Sequence, residues 1–391
     1  MSVQDLESRI EDISADIERQ KAVLRLLECD KSLLQRQLNA VRDPVGRLPP
    51  EISSEIFVQC LPLDPRFHEL HEAPALLLNV CNAWTDIAVS NPKLWSTMNI
   101  HIPGPGGLAA AVQKRLQRAS SHLLNVAMVG PLDPTVATLI WGHSSQLGRL
   151  VLSAGHREME DDPDEDERLL SLAPNISDLV LWDVELMEEE QGVDGVGETL
   201  LPNLPQLLFS SYNTEVGESH KILQHIRAPR LEKLTLESPT GEADIISFLR
   251  RSSPPLQELN IGDASKAGLG SLDEVLALVP TLTRLEVEWV EIGRAKQLFN
   301  ILAQPGVLPN LRILELNHME KTSEAFWNAV LGVLSACRSK LRTVRIAYHF
   351  RVPMKYIPSD VLTGLRALVE SDGMDIWLGS GRRPDQNELF T

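Results

Sequence analysis

The sequence predicts an α/β chain dominated by one parallel sheet, in which strand and helix alternate in short tandem units behind an all-helical N-terminal part. Three observations predict it. From Leu123 onward an apolar pattern returns at intervals of 24 to 30 residues: an apolar residue, two variable ones, an apolar residue, one variable, an apolar residue. Helix-forming stretches fill the intervals between these runs. Ahead of the repeats, residues 3–41 space their apolar side chains in alternating steps of three and four, the mark of a heptad helix rather than a strand.

Composition bounds the rest. A chain of 391 residues accommodates two or three structural units, and 43% hydrophobic content is ordinary for folded protein. There is no opening basic-then-apolar segment and no run of about eighteen apolar residues, so the expected compartment is cytoplasmic and/or nuclear, with no membrane partner. The four cysteines (Cys29, Cys60, Cys81, Cys337) are scattered, three of them on predicted apolar helix faces, which suits buried thiols better than disulfides or a zinc cluster. Asn175-Ile-Ser177 reads as a glycosylation sequon that stays idle in that compartment. A formal charge of −17 argues against nucleic acid as a partner, because Lys and Arg supply non-specific affinity for phosphates.

Residues 1–43 form the first element. Leu6, Ile10, Ile13, Ile17, Leu24, Leu27, Leu34 and Leu38 make a heptad seam, extended by Val3 and Val41 and interrupted by Gln20 and Lys31. Such a seam needs a cover. It is read as a homodimer through this helix, drawn in parallel, or as half of a coiled coil with a partner, with Gln20 and Lys31 helping to set register; the alternative is a helix folded back on its own chain. Asp43-Pro44-Val45-Gly46 ends the helix and opens residues 44–98.

In that second segment, Pro49 and Pro50 suit the first turn of a helix and Glu51 suits its dipole, so a helix is expected to start there. Ile52, Ile56, Phe57 and Cys60 give it one apolar stripe, which Pro62 and Pro65 end. A second amphipathic helix places Leu77, Val80, Cys81, Trp84, Ile87 and Ala88 on one face and stops at Asn91-Pro92, with Leu94 and Trp95 as a last apolar pair. Helices this short are marginal alone, and so few residues leave apolar surface uncovered. The order LPPEI, I-F, V-C-x-x-W-x-x-I-A, N-P-x-L-W resembles the F-box of many fungal F-box proteins; a bare helical hairpin is the plainer alternative. The resemblance implies that Leu48, Pro49, Ile52, Ile56 and Phe57, with Val80, Cys81, Trp84, Ile87, Leu94 and Trp95, build a small helical fold and the face that binds the Skp-type adaptor of a cullin–RING ubiquitin ligase. The acidic, His-bearing connection over residues 64–72 is longer than a minimal one.

Residues 99–378 hold the repeats. The runs start at Leu123, Leu147, Ile176, Leu204, Leu231, Leu256, Leu282, Leu311 and Leu341, and Trp95, Met98 and Ile100 fit the same frame one interval earlier. A leucine-rich strand core at this period is the signature of a leucine-rich repeat solenoid, a horseshoe with a parallel sheet on its inner face. The intervening helices are expected at residues 108–120, 243–251, 272–278, 295–302, 324–336 and 360–369, one opened by a Ser271–Glu274 capping box. The region resembles the leucine-rich domains that follow many F-boxes. It departs from regular repeats where Asn or Cys usually follows the strand core: Gly155, Val184, Tyr212, Pro239, Ala264, Val290, Met319 and His349 stand there, so irregular repeats are expected. Residues 375–378 read as a final strand and 379–391 as a polar tail.

No strong catalytic pattern occurs: no G-x-x-x-x-G-K-[ST], G-x-G-x-x-G, H-E-x-x-H, C-x-x-C or G-x-S-x-G. His68 and His71 with Asp64, Glu69 and Glu72 could hold a metal, but a surface loop explains them more simply. No cofactor is expected. Acidic runs at 158–167 and 183–198, and a basic surplus over 321–366, read first as solvated loops and second as poles that orient a partner. Side chains between the core leucines point off the inner sheet face, so a protein substrate would meet Trp182, Lys233, Glu258, Arg284, Glu286 and Arg345, with Trp182 and Arg284 as anchors. The chain thus reads as a non-enzymatic substrate-recognition adaptor of a Skp–cullin–F-box ligase. Its rivals are a ligase-independent coiled-coil and leucine-rich scaffold, and a hydrolase with a site in a loop cluster.

Overall fold

The computed structural model describes residues 3–45, 48–61, 74–102, 104, 106–130, 133–153, 176–182, 199–210, 222–237, 242–263, 272–288, 292–304, 306–319, 323–348 and 357–380. Two compact units divide the chain: Met1–Asn99 with Gln113–His122, and Ile100–Val112 with Leu123–Thr391. The connection at 64–72 with its two histidines, both acidic runs, the Ser271 cap, tail residues 381–391 and all the expected Asn/Cys-type turn positions except Met319 lie outside the described residues.

The first unit opens with helix α1 (Val3–Arg42), a run without Gly or Pro and rich in strong helix formers. Pro44 cannot continue it, and the Asp43 carboxylate accepts from Val45 N at 2.9 Å to turn the chain. Helix α2 (Pro50–Gln59) starts at the paired prolines as the sequence predicts, with Glu51 in its first turn. The second amphipathic stretch is not one helix. It is a 3-10 turn (Leu76–Asn79) followed by α3 (Asn82–Ser90), because Cys81 is extended at φ −157° and ψ 171°. Thr85 bridges the break: its backbone N–H donates to Cys81 O at 3.0 Å as in an ordinary helix, and its hydroxyl reaches Leu78 O at 2.9 Å, a carbonyl that a continuous helix would bond through its backbone. A second 3-10 turn (Pro92–Trp95), capped by Asn91, leads into strand β1 (Thr97–His101).

Phe57, Cys81, Ala88 and Leu94 are fully buried in this unit. The Phe57 ring lies 4.8 Å from that of Trp84, whose indole N–H donates to Asp43. Trp95 donates its indole N–H to Ala88 O at 2.7 Å, and the Arg118 guanidinium of helix α4 (Leu108–Ala119) sits 4.3 Å over its ring. Arg115, one turn earlier, donates to Thr97 O, and burial lowers its pKa to about 10.

The second unit is a long parallel sheet with helices between its strands. After β1 come β2 (Leu124–Val129), β3 (Leu147–Ser153), β4 (Asp178–Trp182), β5 (Thr199–Leu200), β6 (Gln206–Ser210) and β7 (Ile226–Arg227). Then follow β8 (Lys233–Leu236), β9 (Glu258–Asp263), β10 (Arg284–Glu288), β11 (Ile313–Met319), β12 (Thr343–Tyr348) and β13 (Asp375–Ser380). Among the described residues eleven strands form one sheet in the order β1-β2-β3-β4-β6-β8-β9-β10-β11-β12-β13, while β5 and β7 pair separately. From β2 onward the sheet pairings are parallel, and they align the repeat frame: Leu150, Leu179, Leu207, Leu234, Leu259, Leu285, Leu314, Val344 and Ile376 stand side by side and are buried. Each such side chain contributes about 2 kcal/mol by leaving water.

One run is shifted. Leu123 is exposed and Leu124 is buried in its place, because the register slips between Leu124 and Asn125 where β2 meets β3. At the strand entries a backbone ladder joins successive repeats: the carbonyls of Pro205, Glu232, Gln257, Thr283 and Arg312 each accept from two consecutive N–H groups of the next strand.

Helices α7 (Glu242–Ser252), α8 (Leu272–Ala277), α9 (Ile292–Leu302), α10 (Glu324–Ala336) and α11 (Ser359–Asp372) fall where the sequence places them, and neighbours in this series pack on each other. They follow α5 (Pro134–Trp141) and the single turn α6 (Ile222–His225), which the repeat pattern does not mark. Helix α5 has its own start signal: Asp133 accepts from Thr135 N and Val136 N, with Pro134 in the first turn.

Cys81 and Cys337 are buried, but Cys29 and Cys60 are exposed, contrary to the expectation of buried thiols for the apolar faces. Cys60 lies just past the last turn of α2, and Cys29 projects from a solvent-exposed stretch of α1. Among the described residues no helix is long and apolar enough to cross a membrane, and no group of His, Cys, Asp and Glu is arranged to hold a metal ion.

Candidate functional site

Two surfaces gather the residues singled out by the sequence, one in each unit. In the first unit those residues divide into two sets. Phe57, Cys81, Leu94 and Trp95 are buried, so they shape the unit and are corrected from contact residues to core; Val80, Trp84 and Ile87 are half-buried. Leu48, Pro49, Ile52 and Ile56 are exposed. Leu48, Ile52 and Ile56 recur every fourth residue along α2 and its entry, while Ser53 and Phe57 point inward from the same helix. Leu48, Ile52 and Ile56, together with Leu76, thus stand on the surface of a unit with its own buried interior.

The second surface is one face of the long sheet, where cross-strand rows set the geometry. The central row runs Ala127, Val151, Val180, Leu208, Thr235, Asn260, Glu286, Glu315, Arg345, Trp377, one residue from each strand of the long sheet after β1. It changes character at its middle. Ala127, Val151 and Val180 form a buried apolar cluster with Trp182 and Leu208 packed on it, so the predicted anchor Trp182 belongs to the apolar half.

The polar half is a network of charges. Lys233 and Glu258 pair at 3.5 Å on neighbouring strands. Arg284 reaches Glu315 at 2.8 Å and Glu286 at 3.6 Å, while Arg345 reaches the other oxygen of Glu315 at 3.1 Å. Asn317 donates to Glu286 at 2.7 Å. Glu315, only 5% exposed, is the centre of this network, and it was not among the six residues singled out. Its signal is alignment: placing successive repeats in register sets Glu315 between Glu286 and Arg345. Glu286 has its pKa raised, first by burial and then by the Glu315 carboxylate, against the lowering effect of Arg284.

Lys233, Thr235, Glu258, Leu259, Asn260, Arg284 and Glu286 line a depression of about 160 Å³. Asn260 Oδ1 is buried there and accepts no hydrogen bond from the described residues. The arrangement offers carboxylate and amide oxygens to incoming N–H donors, next to an apolar strip. No protein-family model matches the chain, and no curated protein matches it.

Proposed function

We propose that the chain is the substrate-recognition subunit of a Skp–cullin–F-box ubiquitin ligase. Residues 44–98 act as the F-box that docks on the Skp-type adaptor, the repeats form a leucine-rich solenoid that holds a protein substrate, and α1 joins copies of the chain. The observation that carries this reading is the division of the F-box-like residues into a filled interior around Phe57 and an exposed apolar line at Leu48, Ile52 and Ile56. An apolar line on a small, internally packed helical unit suits capture by a groove in a partner.

The substrate face is the cross-strand row of the sheet. A segment with an apolar residue for the Trp182–Leu208 side and amide or basic groups for the Glu258–Glu286 side fits its two halves. The chain does no covalent chemistry in this role; holding a substrate lysine near a ubiquitin-carrying enzyme raises its effective concentration. The working compartment is cytoplasmic and/or nuclear.

The test is retention of a purified Skp-type adaptor by the full-length chain and by an Ile52→Ala/Ile56→Ala variant whose circular dichroism matches the parent. Loss of the adaptor with the fold kept supports the ligase. Equal retention by both removes α2 as the docking face, and no retention by either leaves the ligase-independent scaffold, a reading favoured by the exposed seam of α1.

A further inference from the structure

The seam of α1 is uncovered. Its apolar residues from Leu6 to Val41 are 42–78% exposed, although the helix is tied to its own unit from the opposite side. Arg36 donates to Leu78 O at 2.6 Å, Asn39 donates to Val80 O at 2.9 Å, and Asp43 accepts from Trp84. In the heptad with Ile10 and Ile17 at position a, these three residues fall at f, b and f, away from the a and d seam. The contacts that anchor the helix therefore leave the seam free for another chain.

We infer that the seam is covered by α1 of a second copy running antiparallel, in the register where paired residue numbers sum to 51. This deepens, and rests on, the proposal that α1 joins copies of the chain. In that register Ile10 meets the partner's Val41, Ile13 the partner's Leu38, Ile17 the partner's Leu34 and Leu24 the partner's Leu27, each pair occurring twice by two-fold symmetry. The two polar interruptions fall in one layer: Gln20 meets the partner's Lys31, and an amide oxygen there accepts from an ammonium.

Other alignments lose this match. Shifting the antiparallel register by one heptad either way sets Gln20 and Lys31 each against an apolar residue. A parallel pair stacks Lys31 on the partner's Lys31 and offers one flanking attraction, Asp16 to the partner's Lys21. The antiparallel pair instead flanks the seam with Lys21 near the partner's Glu28, with no like charges beside them. Its consequence is geometric. The Arg42 ends of the two helices stand about 50 Å apart, so the two adaptor-docking segments lie at opposite ends of the pair rather than side by side.

The experiment uses the full chain in a Cys29→Ser/Cys60→Ser background, with Ile17→Cys and Leu34→Cys prepared separately, mixed, oxidised and mapped by peptide mass spectrometry beside sedimentation equilibrium. A two-chain mass with a 17-to-34 disulfide is the expected result. A two-chain mass with 17-to-17 or 34-to-34 disulfides overturns the antiparallel register but keeps oligomerisation. A one-chain mass overturns oligomerisation itself, and a mass above two chains overturns the two-stranded pair. Gln20→Glu gives an independent reading: it sets a carboxylate against the partner's Lys31 and tightens the antiparallel dimer roughly three- to tenfold, whereas in a parallel pair it adds a second like-charge layer and loosens it.

Discussion

Glu286 and Glu315 are directly paired on neighbouring strands β10 and β11, two carboxylates where like charges oppose each other. Arginines on either side relieve the repulsion, Arg284 touching both carboxylates and Arg345 touching Glu315. The two acids are not equivalent. Glu315 is the more buried and is held by both arginines, whereas Glu286 carries the raised pKa.

Glu315→Gln should therefore destabilise the chain. The change leaves Arg284 and Arg345 close together with only Glu286 to balance them. Both arginine side chains are about a third exposed, 30% and 33%, so water softens the loss. We expect about 2 kcal/mol in denaturant unfolding, below the full cost of breaking a buried pair. A loss under about 0.5 kcal/mol, the range of ordinary surface substitutions, would contradict the network.

Glu286→Gln should have the opposite sign at neutral pH. A carboxyl whose folded pKa is raised binds its proton more tightly folded than unfolded, so its contribution to stability is greatest at acid pH and is lost as pH rises through the folded pKa. Glutamine removes that penalty and still accepts from Asn317. The variant should melt higher than the parent at pH 7 to 8, and the gap should close as pH falls toward the ordinary carboxylate range. A gap that widens on acidification would refute the assignment.

Gly262 interrupts the outward-facing row of β9, and no larger residue fits. A Cβ there would lie 2.5 Å from the carbonyl oxygen of Glu237, a backbone atom that cannot swing aside, next to the register shift between β9 and β10. Gly262→Ala should cost about 1 to 3 kcal/mol, read as a lowered midpoint of urea unfolding.

Cysteine accessibility gives a fold-wide check. Cys29 and Cys60 are exposed while Cys81 and Cys337 are buried, and burial raises the Cys337 thiol further, which lowers its thiolate fraction. Under native conditions two of the four thiols should react quickly with a disulfide reagent and two only after unfolding.

The repeated strands are legible because each core residue recurs in a frame that pairing preserves, and Leu150 through Ile376 lie in one buried row. Leu123 misleads for a local reason: Leu124 beside it is equally apolar, and only the slip against β3 decides which is buried. Helix α5 escapes notice because it fits within one interval of the repeat, although Asp133-Pro134 signals its start. The break at Cys81 depends on the Thr85 hydroxyl reaching Leu78 O, a contact that spacing alone does not reveal. Glu315 becomes conspicuous only when three strands are set in register at once, since its partners are about thirty residues away on either side.

The same distinction between burial and exposure separates two residues one position apart on α2. Ile56 is 40% exposed, whereas Phe57 is fully buried against Trp84. Phe57→Ala removes the filling of the first unit and should cost about 3 to 5 kcal/mol, with a loss of near-UV signal from the tryptophans. Ile56→Ala removes surface only and should cost under about 1 kcal/mol. If α2 is the docking face, adaptor binding is lost in both variants but for different reasons. A stabilising osmolyte strengthens effective burial and should restore binding to Phe57→Ala in part, while Ile56→Ala stays defective. Rescue of both, or of neither, would mean that the exposed line on α2 and the buried ring do not play these separate parts.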